Sequence, residues 1–254
     1  MSLKIDSQGI AIDNRLLCKD INLHFKPGQF WAIVGPNGSG KTSLLHTLSG
    51  LREAKQSKIL LEDKPIQKYR YKQRAKKLGV LLQEQELNQL GTVYEALMAA
   101  RYPFQDAWLN TSNSEKGIID DALSSMEIIQ FKHRTIATLS GGEQQRLQIA
   151  MLLTQNPDIY ILDEPTNHLD LKYQINALQK LKQLAIEEQK IIITVVHDIN
   201  LAYRYADSAC LLFADGKVMS GKLDDVFTEK NLSALFETSL KKVAVDNRVI
   251  WIAE

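Results

Sequence analysis

The chain holds only two cysteines, Cys18 and Cys210, in 254 residues. They stand far apart in apolar stretches of sequence. That excludes a disulfide scaffold and any cysteine-based metal spacing, and it fits a reduced compartment. An excess of one charge is also missing. The 31 Lys and Arg face 30 Asp and Glu, a net charge of +1, so a whole-surface grip on nucleic acid is not expected. No apolar run approaches the ~18 residues that mark a membrane-spanning helix. The opening Met1–Asp6 lacks the pattern of a secretory leader. Internal repeats and low-complexity tracts are absent. What is present is 44% hydrophobic and 24% charged, the balance of a folded globular chain. The length suits one large domain or two closely joined lobes.

Within this ordinary composition, residues 35–42 read Gly-Pro-Asn-Gly-Ser-Gly-Lys-Thr. Gly35 and Gly40 bracket four residues ahead of Lys41 and Thr42, the spacing of a phosphate-binding loop. Phe30–Val34 before it is apolar and β-prone, and Leu44, Leu45 and Leu48 after it share one helical face. The loop is therefore predicted to join a strand to a helix. Its glycines let backbone N–H groups converge on phosphate oxygens, and the helix N-terminus adds partial positive charge. Lys41 is placed to reach β- and γ-phosphates, and the Thr42 hydroxyl to ligate Mg²⁺.

Two further segments offer chemistry. Asp158–Glu164 runs four apolar or aromatic residues into Asp163 and Glu164, a buried strand with acids at its C-terminal end. Asp163 is placed to hold Mg²⁺ through a water, and Glu164 to orient and deprotonate an attacking water; a plain strand exit into Pro165 is the competing reading. Leu139-Ser140-Gly141-Gly142-Glu143 precedes a helical pattern through Ile149 and Ala150. Ser140 with Glu143 three residues on forms a capping box, so spacing alone favours nothing beyond a well-capped helix.

Punctuation divides the rest. Residues 1–29 alternate short strands with turns, and strand patterns recur at 58–62 and 78–82. Residues 84–155 lack strand runs and carry helical patterns at 92–101, 115–130 and 141–154, so a helical lobe, 84–155, is expected within an α/β core of 1–83 and 156–254. Asp215-Gly216 marks a hairpin turn. A last helix near 224–237 and a strand at 243–252 are expected to close the chain. The basic run Arg70, Lys72, Arg74, Lys76 and Lys77, with Tyr69 and Tyr71 interleaved, is read as a solvated helix face before it is read as a nucleic-acid contact.

These motifs, in this order, resemble the ATP-binding cassette ATPases. Leu-Ser-Gly-Gly-Glu at 139–143 between the phosphate loop and Ile161-Leu162-Asp163-Glu164-Pro165-Thr166 is that family's signature arrangement. Gln83 is similar to its Q-loop glutamine (Gln85 less so), Asn167-His168-Leu169-Asp170 to its D-loop, and His197 to its switch histidine. The resemblance implies a P-loop NTPase core of RecA-like α/β class, with an N-terminal antiparallel β subdomain and an inserted α-helical subdomain. It implies ATP and Mg²⁺ as ligands, with Gly35, Pro36, Asn37, Gly38, Ser39, Gly40, Lys41, Thr42 and Ser43 around the phosphates. Thr42, Gln83 and Asp163 would face the metal, and Glu164, His197 and Gln83 the reaction. Two copies would pack head to tail, so that Ser140, Gly141, Gly142 and Glu143 meet the nucleotide of the opposite copy, with Asp170 coupling the two sites. The chain departs from the family where an aromatic residue usually stacks on adenine. Ile12 stands there, and an aliphatic contact offers no ring stacking.

Thr92-Val93-Tyr94-Glu95, Ala100-Arg101-Tyr102-Pro103-Phe104, and His197-Asp198-Ile199-Asn200-Leu201-Ala202 are similar to importers of iron–siderophore complexes, haem and vitamin B12. That implies an ATPase subunit lying peripherally on the cytoplasmic face of the cell membrane. Its partners would be a helical permease, bound in a groove between Gln83 and Phe104 that holds Glu86, Tyr94 and Arg101 (Arg101 reads equally as a helix-terminal cation near Pro103), and, indirectly, a substrate-binding protein; nucleic acid is not expected. An exporter ATPase is the first alternative. A soluble cassette acting on ribosomes or DNA is the second, although the paired cassettes or long coiled coil of such proteins are missing.

Overall fold

A computed structural model describes residues 1–12, 15–52, 57–83, 91–104, 113–246 and 248–254. The side chain of Ile12 lies outside the described residues, as do Gln85 and Glu86.

The chain opens with two long antiparallel strands, β1 (Leu3–Ile12) and β2 (Arg15–Phe25). These replace the several short strands expected over 1–29. Strand β3 (Phe30–Val34) then runs through the loop into helix α1 (Lys41–Leu48). Strands β4 (Ser57–Leu61) and β5 (Lys64–Pro65) return to the opening pair and complete a four-stranded antiparallel sheet, ordered β2-β1-β4-β5. The basic run forms helix α2 (Tyr71–Lys77), which buries none of its residues. Strand β6 (Leu78–Leu81) follows directly.

Helices dominate next: α3 (Val93–Ala100), α4 (Asn113–Ser125) and α5 (Gly141–Gln155). Strand β7 (Ile159–Asp163), helix α6 (Leu171–Glu188), β8 (Ile191–Val195), α7 (Ile199–Tyr205) and β9 (Ser208–Leu212) restore the α/β alternation. The hairpin turn at Asp215-Gly216 leads to β10 (Val218–Lys222), with Gly216 at φ 83°. Short helices α8 (Leu223–Val226) and α9 (Glu229–Phe236) precede a terminal hairpin, β11 (Leu240–Val245) and β12 (Arg248–Ala253).

Three further expectations need correction. The helix expected over 115–130 ends at Ser125, because Glu127 takes a left-handed φ of 53°. The freed carbonyls of Met126 and Glu127 accept from the buried Arg146 guanidinium at 3.1 and 2.9 Å. The single closing helix is two helices, since Thr228 is extended and accepts from the Asn231 N–H as the cap of α9. The single closing strand is a hairpin that turns at Asp246, φ 45°. Its Trp251 backbone N–H donates to Asn200 Oδ1 at 2.6 Å, which fastens it to α7.

The central sheet runs β10-β9-β3-β8-β7-β6, parallel except for β10. All five residues of β3, β7, β8 and β9 are buried, because this sheet is covered on both faces. Side chains alternate between two apolar layers. On β3, Phe30, Ala32 and Val34 face the helical layer, while Trp31 and Ile33 face the antiparallel sheet and α1. On β7, Tyr160 and Leu162 take the first side, Ile159 and Ile161 the second. Cys18 and Cys210, distant in sequence, lie in that second layer as free buried thiols. The parallel strands all end at one edge, which therefore receives residue 35, residue 83, residues 163–164 and residue 197.

Ile161 is fully buried in the strand that delivers the acids, whereas Leu171 is 67% exposed. Ile161→Ala is expected to lose about 2–5 kcal/mol in urea denaturation, and Leu171→Ala to stay within about 0.5 kcal/mol. Equal losses would mean that the sheet is not the rigid support of that edge.

Candidate functional site

The loop after β3 turns tightly because its glycines permit it. Gly38 and Gly40 hold φ of 77° and 97°, a region costly for residues with a Cβ. A Cβ on Gly35 would stand 2.4 Å from the Leu212 carbonyl oxygen, so only glycine lets β9 approach there. The Lys41 ammonium is nearly buried and donates to the carbonyls of Gly35 and Pro36 at 2.9 and 3.0 Å. Burial lowers its pKa, and the nearby charges of Glu164 and Asp163 oppose that shift. An ammonium has three donors, so these two bonds leave one for a ligand. A cavity of about 470 Å³ opens here, lined by Asn37, Gly38, Gly40, Lys41, Thr42, Ser43, Gln83, Glu164 and His197. These nine residues, all candidates by sequence, come from four separate segments that the fold brings together.

Glu164 lines this cavity, and its neighbour Asp163 lines the adjoining cavity of about 170 Å³. Asp163 ends β7 almost wholly buried, and neither of its oxygens has a partner at hydrogen-bonding geometry. Burial raises its pKa; the Glu164 charge adds to this, while the Thr42 hydroxyl is close enough to pull the other way, as are His46 and Lys41. A buried carboxylate without donors, beside a threonine hydroxyl and a lysine, fits a site that receives a divalent cation with phosphate. No group of three His, Cys, Asp or Glu among the described residues could hold a metal. A Mg²⁺ here would draw its other ligands from phosphate and water.

Glu164 is held differently. It sits in the left-handed region at φ 51°, where a glutamate is strained by roughly 1–3 kcal/mol. Its Oε2 accepts from Gln83 Nε2 at 2.8 Å and from Asn167 Nδ2, and its Oε1 meets His197 Nε2. Three segments thus fix one carboxylate over the phosphate loop. Gln83 and His197 were legible as candidates. Asn167 stands inside the Asn-His-Leu-Asp motif, but its sequence position does not reveal this role, because only the turn after Pro165 aims its amide back at Glu164.

The Ser140 segment is built as its capping box predicts. Ser140 N donates to Glu143 Oε2 at 2.8 Å, and Glu143 N to the Ser140 hydroxyl at 3.4 Å. None of residues 140–143 lines the 470 Å³ cavity. Gly141 faces a separate cavity of about 170 Å³ that also touches Gln83, Glu164 and Asn167. A Cβ on Gly141 would meet nothing within 4 Å, whereas one on Gly142 would stand 3.2 Å from the His168 carbonyl oxygen. Gln145 Nε2 donates to the Pro165 carbonyl at 3.0 Å, so the α5 N-terminus is tied to the turn beyond Glu164 and open outward. Asp170 is exposed at the start of α6 and makes no capping hydrogen bond.

Arg101 points elsewhere. Its guanidinium bonds the Thr154 carbonyl at 3.1 Å, pairs with Glu115 at 3.5 Å and stacks 4.4 Å from the Phe104 ring. It anchors α3 to α5, so the reading of Arg101 as a docking cation gives way to an internal structural role.

The chain is similar to known proteins in sequence and fold. The family model described as ABC transporter matches residues 18–167. The ABC transporter ATP-binding protein YvrA of Bacillus subtilis is 37% identical over 90% of this chain, which spans only 52% of YvrA. The petrobactin import ATP-binding protein FpuD of Bacillus anthracis is 36% identical over 89% of this chain and 83% of its own length. The dimeric structure of MJ0796, a bacterial ABC transporter cassette, superposes with a TM-score of 0.76 at 30% identity, covering 87% of this chain and 98% of that one.

The unpartnered Asp163 carboxylate yields a test. Asp163→Asn removes a buried charge and is expected to raise the stability of the nucleotide-free chain by on the order of 1 kcal/mol, roughly 2–4 °C in the thermal midpoint. The extra stabilisation that ATP with Mg²⁺ gives over ATP with a chelator should vanish in the same variant. A variant that keeps this Mg²⁺ dependence contradicts the cation site.

Proposed function

This chain belongs to the ABC transporter family, and we propose that it is the ATP-hydrolysing subunit of an importer that takes up an iron chelate through a separate membrane permease. The observation that carries the reading is the fixed Glu164 carboxylate beside a phosphate loop with a partly free lysine donor. In this reading the 35–43 loop holds the phosphates of ATP, and Lys41 compensates their charge. Thr42 and, through a water, Asp163 would hold a Mg²⁺ with Gln83 alongside, and the ion would supply charge neutralisation to the phosphates. Glu164 takes a proton from the attacking water, while Gln83 and Asn167 keep its carboxylate aimed and His197 meets the γ-phosphate.

The outward-open Ser140 segment suits a second copy. Two chains would pack so that Ser140, Gly141, Gly142 and Glu143 of each complete the other's site, as supported by the dimeric relative MJ0796. Residues 84–155 would then form the lobe that carries this segment, and Asp170 would couple the two sites. Among the described residues no helix is long and apolar enough to cross a membrane. The output would therefore pass to a permease docked near residues 91–104, with the cassette peripheral at the cytoplasmic face of the cell membrane. A substrate-binding protein would deliver the cargo from the other side. Similarity to FpuD supports a siderophore as cargo, with haem or vitamin B12 the other cargoes of that branch.

The test pairs membrane recruitment with uptake. Co-expression with the neighbouring permease is expected to bring the chain to membranes, and its deletion to abolish uptake of a radiolabelled ferric siderophore. Intact uptake of ferric siderophore, haem and vitamin B12 in the deletion strain sinks the importer reading.

A further inference from the structure

One feature of the surface has no part in the nucleotide site. Residues 64–77 contain seven cations, Lys64, Lys68, Arg70, Lys72, Arg74, Lys76 and Lys77, and no Asp or Glu. With these seven set aside, the 31 Lys and Arg of the chain fall to 24, against 30 Asp and Glu. Lys77 pairs with Glu62 at 2.8 Å and Arg74 donates to the Gly50 carbonyl at 3.2 Å, yet the stretch as a whole concentrates positive charge on a chain whose remaining sequence is acidic. Helix α2 buries none of its residues, and Lys68, Arg70 and Lys76 are exposed.

Aromatic rings share that surface. Tyr71 is 83% exposed and Tyr102 52%. Lys76 stands 5.6 Å from the centre of the Phe104 ring, Lys72 5.7 Å from that of Tyr102, and Arg74 5.2 Å from that of Tyr71. Rings orient such cations without cancelling their charge. Helix α2 packs against the 102–104 turn that ends α3, so the basic surface adjoins the segment assigned above to permease docking.

We infer that this α2 surface binds the anionic headgroups of the membrane itself. The inference rests on the membrane-peripheral reading under Proposed function. Charge decides between the two partners available at that face. Cytoplasmic loops of membrane proteins carry excess Lys and Arg, which suits the acidic remainder of this chain and repels α2. The cytoplasmic leaflet is anionic and attracts clustered Lys and Arg. Exposed tyrosines suit the same zone, since their amphipathic rings settle at headgroup level. Such contact would orient the cassette beside its permease.

The experiment is co-sedimentation of the full chain with vesicles of phosphatidylcholine, alone or mixed with phosphatidylglycerol, at low and high salt. The wild type is expected to bind only the anionic vesicles, and to lose binding at high salt. Lys68→Glu/Arg70→Glu/Lys76→Glu is expected to lower that binding more than about tenfold while ATP hydrolysis stays at the wild-type level, which shows a folded chain. A milder triple replacement by Gln should fall between the two. Absence of binding to anionic vesicles, or equal binding by the Glu variant, overturns the inference. So does preferential binding of a single-stranded oligonucleotide through the same residues. Capture by detergent-solubilised permease is measured separately. Permease capture without vesicle binding rejects this inference alone, and vesicle binding without permease capture rejects the importer reading alone.

Discussion

Glu164 is where the architecture converges. The carboxylate is carried on a strand whose five residues are all buried, it leaves that strand in a left-handed conformation, and Gln83, Asn167 and His197 hold it from three directions. No single element could impose this. Strand β6 delivers Gln83, β7 the acids and their following turn, and β8 the histidine. Their parallel register against β3 sets all of them beside the phosphate loop. The strained backbone is tolerable because the sheet beneath it is packed on both faces.

The same convergence separates binding from reaction. The phosphate cavity is built by glycines and Lys41, and its charge balance leaves Asp163 buried without a donor. That arrangement costs stability in the isolated chain and favours a ligand that brings positive charge. The Ser140 segment lies outside this cavity yet is tied to the turn beyond Glu164 through Gln145 and the close approach of Gly142 to His168. In the proposed dimer, nucleotide docking on Ser140 would thus be felt at the turn that carries Asn167.

Much of this was legible in the sequence. Local chemistry wrote the phosphate loop, the Ser140–Glu143 capping box and the acid-bearing strand into contiguous residues, and each stands where its pattern predicts. The helix over 115–130 was overextended because its apolar period continues past Ser125, while the stop comes from Glu127 and the distant Arg146. The closing hairpin was missed because Asp246 lacks the usual turn partner, and its docking depends on Asn200. Arg101 read as a surface cation because its partners, Glu115 and the end of α5, are remote in sequence. Asn167 was illegible for the same reason: a left-handed Glu164 cannot be inferred from Asp-Glu-Pro-Thr.

The central claim is that Glu164 acts as the base and is not merely a structural anchor. Steady-state hydrolysis by Glu164→Gln, measured together with ATP-dependent dimerisation by light scattering, tests it most directly. An amide can keep the bonds to its neighbours but cannot accept the water's proton. The account predicts turnover lower by about 10²–10⁴-fold, with ATP still bound and a dimer that persists. Hydrolysis near the wild-type rate would contradict it.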